Sequence, residues 1–446
     1  MILRWLTGLM LGLLAMSSAE AAVKIQAVTS PGGITAWLVE DHSLPVVTLD
    51  VSFAGGAVLD PPSIPGLATL TADLLDEGAG TYDSEAFQSR LEDLATSLEI
   101  NASEEAIGAS LRTTTANLQD GLAMLGLALT APRFDAEAVA RVRAQLTANL
   151  AHHATEPRYI ANRLWQLHAF AGHPYAHPVE GTQESIARIT AEDLHRLARE
   201  RLAKDVMLIG VVGDITPEAL KTELDRTFGP LPEKAAAATV PEVIPAADGA
   251  VELARMMVPQ SVVVFGQHGV KRDDPDWYAA LIVNYILGDG GFSSRLTAEV
   301  REKRGLAYSI YSQLAPMQHS ALIEGSVATR NDRVQDSIDI IREEWGRMSV
   351  EGPSAKELAD AKTYLTGSFA LGLDSTVAIA ATLVALQRDH LGIDYLDRRA
   401  ALIDAVTLDD AKRVAHRLLD PKALLIVIVG SPALIKDAHE VRPSGE

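Results

Sequence analysis

The chain has 446 residues, of which 48% are apolar and 22% are charged, and this composition is typical of a globular protein. Its length exceeds what one hydrophobic core accommodates and predicts roughly two to four domains. A net charge of −20 argues against nucleic acid and anionic membrane surfaces as partners, and the lack of cysteine excludes disulfides and a thiol nucleophile.

The first residues have the features of a targeting segment. Arg4 supplies a positive charge, residues 5–16 form an apolar run too short to span a membrane comfortably, and Ala-Glu-Ala at 19–21 fits the small-residue rule for cleavage. We therefore predict a signal peptide at 1–21 and a mature chain that begins near Ala22. Since no cysteine follows the cleavage site, lipid anchoring there is excluded, and we expect a periplasmic protein without an integral membrane segment.

Apolar periodicity predicts strand pairs and helices along the first half. Two-residue alternation bounded by turn residues predicts strands at 34–40, 46–54, 98–102, 106–114 and 206–212. Helical spacing of apolar residues predicts helices at 66–75, 82–98, 118–130, 136–153, 159–171, 191–202 and 217–228. Strand runs followed by helix runs are typical of the α+β class.

The second half repeats part of the first. A helix start at 189–193 and a strand at 207–213 recur in the same order at 406–410 and 424–430, about 217 residues later (406 − 189). Two echoes in one order favour a duplicated α+β unit over coincidence. A stretch rich in proline and alanine separates the copies. The predicted boundaries are 22–230 for the first domain, 231–249 for the linker and 250–446 for the second domain.

The stretch Gly290–Ser312 contains a glycine turn, a short helix and a strand. Glycines in 288–291 suit a sharp reversal, and Ser293 or Ser294 can cap the helix that follows. Gly305 has the position of the residue that ends a helix in the left-handed conformation.

After that helix, Leu306, Tyr308 and Ile310 alternate with Ala307 and further residues in the two-residue period of a strand. The last turn of a helix and the start of a strand would bring Arg301 and Tyr308 close together. Taken alone, the two residues are better explained by a solvated helix-end cation and a half-buried strand residue.

The order of several motifs resembles the insulinase–pitrilysin family of zinc metallopeptidases, also called inverzincins. The motifs are the Arg301–Tyr308 run, Gly-Leu-Ala at 66–68, His-Pro-Tyr at 173–175, Gly-Thr at 181–182 and Val-Val-Gly-Asp at 211–214. The resemblance implies two homologous α+β halves, each a mostly antiparallel sheet with helices packed on it, which form one side of a clam-shell chamber. It also implies that Arg301 and Tyr308 reach the catalytic chamber.

The family's zinc site is replaced in this chain. Active members carry H-x-x-E-H, in which two histidines bind zinc and the glutamate is the general base. Placing Gly-Leu-Ala on the family's lead-in puts Thr69 and Asp73 at the histidines, Ala72 at the glutamate, and Asn149 or Ala148 at the downstream ligand. A threonine hydroxyl is a poor zinc ligand, and alanine accepts no proton. The resemblance therefore implies no metal in this chain and no zinc protease activity of the chain alone.

Other candidate sites are weaker. His152 and His153 are adjacent and point about 100° apart on a helix, which disfavours joint ligation. His173 and His177 flank prolines in a loop, where turn shaping and packing explain them better than a metal does. No nucleophile-elbow, P-loop or dinucleotide-binding motif occurs in the sequence.

The resemblance implies a division of labour between two chains. This chain would be the non-zinc-binding subunit that supplies Arg301 and Tyr308 for carbonyl or oxyanion stabilisation, and a homologous partner would supply zinc, its ligands and the base. The expected substrate is an unfolded or extended peptide. The alternative is a catalytically inactive peptide-binding or scaffold protein of the same fold. Metal-independent catalysis is a third possibility, for which no nucleophile–base pair is visible.

Overall fold

The computed structural model describes residues 24–443, so the predicted signal segment lies outside the described residues. Two six-stranded sheets organise the chain. The first has the order β1-β2-β6-β3-β5-β4 and is antiparallel except between β2 and β6. Its strands are β1 (Gln26–Thr29), β2 (Thr35–Glu40), β3 (Val46–Ala54), β4 (Ser97–Ala102), β5 (Ala106–Thr114) and β6 (Met207–Gly213).

The second sheet repeats this arrangement. Its order is β12-β7-β11-β8-β10-β9, and only the pairs of β7 with β11 and with β12 are parallel. Matching β2, β6, β3, β5 and β4 to β7, β11, β8, β10 and β9 superimposes the two orders, which confirms the predicted duplication into mostly antiparallel α+β halves. The strands are β7 (Val251–Arg255), β8 (Gln260–His268), β9 (Ala307–Pro316), β10 (Ala321–Arg330), β11 (Leu425–Gly430) and β12 (Ala438–Val441).

Fifteen α-helices cover the sheets in the described part of the chain. Within residues 24–443 no single helix combines the length and apolarity needed to cross a membrane, although Ala355–Gly372 and Thr376–Arg388, bent by 117°, meet that test as a pair. The helices of the first half are α1 (Leu67–Ala72), α2 (Ser84–Asp93), α3 (Leu118–Thr130), α4 (Ala136–His153), α5 (Pro157–Ala169), α6 (Gln183–Arg188), α7 (Ala191–Arg201) and α8 (Pro217–Phe228). Those of the second are α9 (Trp277–Asn284), α10 (Arg295–Thr297), α11 (Val334–Glu351), α12 (Ala355–Gly367), α13 (Thr376–Arg388), α14 (Tyr395–Asp404) and α15 (Leu408–Leu418).

Each sheet has an outer face, packed by helices of its own half, and an inner face. In β3 the alternation of side chains puts Leu49 and Val51 into the core of the outer face, where both are buried. Thr48 points to the inner face, and its hydroxyl lies 2.7 Å from that of Thr376 on α13. The inner face of the first sheet is therefore covered in part by a helix from the second half.

The halves exchange helices reciprocally. Helix α5 of the first half packs on the inner face of the second sheet, where the Trp165 indole N–H donates to the Leu425 carbonyl at 3.2 Å. Helix α13 of the second half packs on β3 and β6, where the Gln387 amide donates to the Ile209 carbonyl at 2.9 Å. Gly210 permits this approach, because a Cβ there would lie 2.5 Å from the carbonyl oxygen of Ala380. The exchange ties the two halves into one unit.

Most predicted element bounds agree with the structure, and two helices were predicted too long. The helix predicted at 66–75 is observed only over Leu67–Ala72, followed by turns. Helix α2 ends at Asp93 rather than at residue 98, because Ala95 adopts a left-handed conformation (φ 47°) and β4 begins at Ser97. The stretch between α8 and β7 contains no helix or strand, while the domain boundaries drawn around it remain a prediction.

A carboxylate cluster lies where the β4–β5 turn of the first half meets the second half. Burial, with smaller contributions from Glu105 and Glu324, raises the pKa of Glu104 to about 7. Glu105 accepts hydrogen bonds from the Tyr175 hydroxyl and from the backbone N–H of Gln318, the latter at 2.6 Å. Ionisation of Glu104 is therefore unfavourable, because the carboxyl is buried and lies near the carboxyl groups of Glu105 and Glu324.

We predict that Glu104→Gln stabilises the protein above neutral pH. A carboxyl whose pKa is raised on folding contributes stability that is full below its ordinary pKa and is lost as the pH rises through about 7. Urea unfolding should therefore give the variant a free energy of unfolding about 2 kcal/mol above wild type at pH 8, and no gain at pH 4.5. Glu99→Gln, on an exposed position of β4, is the control, and equal gains from both variants would contradict the prediction.

Candidate functional site

The loop before α10 is shaped by one glycine in the left-handed conformation and by one close approach of the backbone to a neighbouring strand. Of the glycines predicted to form the turn, only Gly291 has a positive φ, 54°. Gly288 is needed for a different reason, because a Cβ there would collide with Ser312 on β9. Ser294 rather than Ser293 caps the helix, since its side chain accepts the Thr297 N–H at 3.4 Å.

The helix that follows is widened in its last turn. Residues Ala298–Glu302 form a π-helical turn, a conformation that inserts one residue into the helical repeat. Gly305 ends it with φ 58°, donating to the Arg301 carbonyl at 3.0 Å, while the N–H of Leu306 donates to the Val300 carbonyl at 2.9 Å. The role predicted for Gly305 is confirmed.

A β-bulge sets the direction of Tyr308. Ala307 pairs with Thr329 and Ile310 pairs with Val327, so β9 has one residue more than β10 in this interval. The predicted alternation, which placed Tyr308 and Ile310 on one face, is therefore wrong at this point. Tyr308 is 81% exposed, whereas Ile310 is 4% exposed.

Arg301 is held between two aromatic rings. Its guanidinium carbon lies 4.6 Å from the ring centroid of Tyr308 and 4.5 Å from that of Phe292, a residue that sequence reasoning missed. Each such contact is worth about 0.5–1 kcal/mol at an exposed position, so the pair restricts the orientation of the guanidinium. The predicted proximity of Arg301 and Tyr308 is confirmed.

The hydrogen-bond donors of this pair are uncommitted. Within residues 24–443 no ion pair or side-chain hydrogen bond involves the Arg301 guanidinium, and none involves the Tyr308 hydroxyl. Neighbouring cations differ, because Lys303 and Arg304 both pair with Glu299. A guanidinium and a phenol with free donors can bind an oxygen atom that carries negative charge.

An ion pair fixes the start of α10. The Arg295 guanidinium donates to both carboxylate oxygens of Glu357, at 2.7 and 2.8 Å, and to the Gly352 carbonyl at 3.0 Å. The hydrogen bond from Arg295 is the largest cause that lowers the pKa of Glu357 to about 2. This contact anchors α10 to α12 and thereby restricts the movement of the segment that positions Phe292, Arg301 and Tyr308.

In the first half, a buried ion pair holds the N-terminus of α1. Asp60 accepts the N–H groups of Gly66 and Ala68 at 3.0 and 3.1 Å and pairs with Arg201 at 2.9 Å. Burial nevertheless outweighs Arg201 and raises the pKa of Asp60. Helix α1, which carries the positions that the resemblance assigns to metal ligands, is thereby fixed in orientation.

The residues at the ligand positions do not fit a zinc ion. The Thr69 hydroxyl donates to the Val179 carbonyl at 2.7 Å, Ala72 is fully buried, and Asn149 is exposed and bonded to Gln145. Burial, followed by the charges of Asp76 and Glu180, raises the pKa of Asp73 to about 6. Asp73 is the only ionisable side chain at these positions, and one carboxylate does not make the three-ligand site of a catalytic zinc. Among the described residues no group of three or more His, Cys, Asp and Glu side chains could hold a metal ion.

Three of the four histidines considered in the sequence analysis, His152, His153 and His173, have separate partners. His152 and His153 contact different carboxylates, Glu156 at 3.0 Å and Glu180 at 3.1 Å, so they do not converge. His173 accepts the N–H of Tyr175 at 3.1 Å, which is the turn-shaping role that was expected.

Comparisons with known proteins identify the family to which this fold belongs. Residues 36–183 match the insulinase family, peptidase family M16, and residues 188–365 match the peptidase M16 inactive domain. A peptidase M16 inactive domain from Pseudomonas fluorescens has a similar structure, with a TM-score of 0.86, 29% identity and coverage of 92% of this chain and 98% of that chain.

Similar sequences include one protein named as a non-peptidase and one named as a peptidase subunit. The non-peptidase homolog YmxG of Helicobacter pylori is 27% identical over 332 residues, which cover 74% of this chain and 76% of that protein. The mitochondrial-processing peptidase subunit beta of Blastocladiella emersonii is 23% identical over 431 residues, which cover 94% and 91%. Together with the two domain matches and the duplicated fold, these similarities establish that the chain belongs to peptidase family M16, the insulinase family.

Proposed function

We propose that this protein is the non-zinc-binding subunit of a two-chain peptidase. The observation that carries the proposal is a contrast between the halves. The second half holds Arg301 and Tyr308 side by side with free donors, and the first half has Thr69, Ala72 and Asp73 where a zinc site would need histidines and a glutamate. One chain therefore has groups for binding a developing negative charge and lacks groups for activating water.

The contribution of this chain would be electrostatic. Attack on a peptide carbonyl places negative charge on its oxygen, and donors fixed in advance stabilise that charge more than the uncharged substrate. The Tyr308 hydroxyl would donate to that oxygen, and the Arg301 guanidinium, oriented by two rings, would donate to it or to the neighbouring carbonyl. Zinc and the general base would be in a homologous partner chain, where the metal makes bound water nucleophilic.

The proposal includes the setting of the assembly. The two chains would face each other across a chamber that admits unfolded or extended peptide. The signal-like residues at 1–21 support export to the periplasm. The mitochondrial relative is named as a subunit of a processing peptidase, which supports a role in a multi-chain enzyme.

The test is reconstitution with a zinc-bearing homologue from the same organism. Each purified chain alone is expected to cleave a fluorogenic extended peptide at background rate, and the equimolar mixture is expected to cleave it and to elute as a heterodimer in size-exclusion chromatography. A mixture no more active than the zinc-bearing chain alone would contradict the proposal. So would stoichiometric zinc in this chain together with peptidase activity of its own.

A second candidate function, binding without catalysis, is favoured by the similarity to the non-peptidase homolog, whose match covers 74% of this chain. In that case the chain would bind extended peptide or scaffold a complex without hydrolysis in any partner. The reconstitution separates the two functions, because a scaffold would retain peptide intact in the mixture.

A further inference from the structure

A second cavity lies in the second half, away from the candidate site. Its volume is about 950 Å³, within the range of roughly 300–1,000 Å³ that accommodates small-molecule ligands. Its walls are residues 242–244 before β7, residues 267–275 at and after the end of β8, residues 417–420 at the end of α15, and Ser320 in the turn between β9 and β10. That turn follows the end of β9 opposite to Tyr308, roughly 25 Å away along the strand.

The walls of this cavity are tied to one another. The N–H of Val243 donates to the His319 carbonyl at 2.9 Å, which attaches the segment before β7 to the β9–β10 turn. The Lys271 ammonium pairs with Glu242 and donates to the Gln318 carbonyl at 3.0 Å, which adds the loop after β8 to the same group. The cavity is therefore formed in advance, and a ligand would not have to order its walls.

One buried polar group that lines the cavity has no partner. Ser320 is 2% exposed, and its hydroxyl oxygen makes no hydrogen bond within the described part of the chain. Gln267, which is similarly buried in the same lining, differs because its amide donates to the Leu418 carbonyl and accepts the Trp345 indole N–H, the latter at 3.1 Å. An unsatisfied buried hydroxyl costs roughly 1–3 kcal/mol, so a ligand that hydrogen-bonds to Ser320 would recover free energy.

The charges of the lining favour a cationic ligand. The lining contains four carboxylates and two permanent cations, a net charge of −2 with histidine neutral. Both cations are already paired, Lys271 with Glu242 and Arg417 with Asp274 at 2.8 Å. Among the described residues Asp273 and Asp420 have no cationic partner, and they project from two different walls. A ligand with separated positive charges would compensate both.

Apolar side chains lie among these charges. Val243, Val270 and Leu418 belong to the lining, and Ile244 is 74% exposed beside them. Such a surface suits methylene groups that connect polar ends. A compact cation is disfavoured, because no group of three or more His, Cys, Asp and Glu side chains in residues 24–443 could hold a metal ion.

We propose that this cavity is a binding site for a di- or polyamine. The terminal ammonium groups would pair with Asp273 and Asp420, one of them would also donate to the Ser320 hydroxyl, and the methylene chain would lie against Ile244 and Val270. An anion would meet uncompensated carboxylates and is disfavoured. The inference is independent of the proposed function, because it involves neither a partner chain nor the Arg301–Tyr308 pair.

The test is isothermal titration calorimetry of the full mature chain with spermidine, in about 150 mM salt to screen diffuse attraction. We expect one spermidine bound per chain. Asp273→Asn and Asp420→Asn should each weaken binding about tenfold, because each removes one charge-assisted contact. Asp397→Asn, which removes an equal charge from an exposed position on α14, is the matched control and should leave the affinity unchanged.

Ser320→Ala removes only the unpartnered hydroxyl and is expected to weaken spermidine binding about threefold. Thermal melting identifies any variant that fails to fold. Unchanged spermidine affinity in the folded Asp273→Asn and Asp420→Asn variants would overturn the inference. Two titrations of wild type could also overturn it: magnesium ion binding as tightly as spermidine would indicate diffuse charge attraction, and trilysine binding more tightly would assign the cavity to a peptide.

Discussion

Tyr308→Phe is expected to lower kcat/KM of the reconstituted assembly about 100-fold or more, the usual cost of removing one oxyanion donor. The substitution removes a single hydroxyl and retains the ring that contacts the Arg301 guanidinium at 4.6 Å. Since the side chain is largely exposed, folding and assembly should be unaffected. The measurement is a fluorogenic peptide assay at saturating partner, with size-exclusion chromatography to verify the complex.

Arg301→Ala should reduce activity by a similar factor, and the double variant should be only slightly worse than either single one, because residues that act on one oxygen are not additive. Arg304→Ala is the matched control. Arg304 lies three residues after Arg301 and carries the same charge, but its guanidinium is already paired with Glu299. The activity of Arg304→Ala should therefore change less than about twofold. Full activity of Tyr308→Phe or of Arg301→Ala would refute the assigned role.

The sequence was informative wherever the pattern was local. The alternation in 46–54 and 106–114 gave β3 and β5 their bounds, and the spacing in 118–130, 136–153 and 217–228 gave those of α3, α4 and α8. These elements are amphipathic and bury one face, so burial and periodicity coincide. Gly305 was predictable for a related reason, since a left-handed helix end strongly favours glycine.

The parts of the site that sequence reasoning missed depend on distant contacts. The bulge at the start of β9 is a property of its register with β10, and no pattern within 307–316 reveals it. The π-helical turn at 298–302 likewise departs from the 3.6-residue period by which helices are predicted from sequence. Phe292 had no periodic signal, because it lies in a short turn. The amphipathic pattern of α5 predicted a buried face and did not tell which sheet it covers.

Arg201→Met is expected to be the most destabilising of the single substitutions considered. The Asp60 side chain is 0% exposed, and Arg201 pairs with it at 2.9 Å while donating to the carbonyls of Gly56 and Leu59 at 3.0 and 2.7 Å. Removing one partner of a buried ion pair leaves an uncompensated charge and costs about 3–5 kcal/mol. Thermal unfolding should show the loss as a decrease in Tm of roughly 10 °C.

The control is Arg90→Met, which breaks an exposed pair with Asp120 and should cost less than about 1 kcal/mol. Adding Asp60→Asn to Arg201→Met should recover part of the loss, because the neutral amide oxygen still accepts an N–H at the start of α1. The deficit of Arg201→Met should also shrink as the pH falls. Burial already raises the pKa of Asp60, and without Arg201 its carboxyl is protonated more readily, which relieves the buried charge. A deficit that is equal at pH 5 and pH 8 would show that the lost carbonyl hydrogen bonds, rather than the unpaired carboxylate, determine the stability of α1.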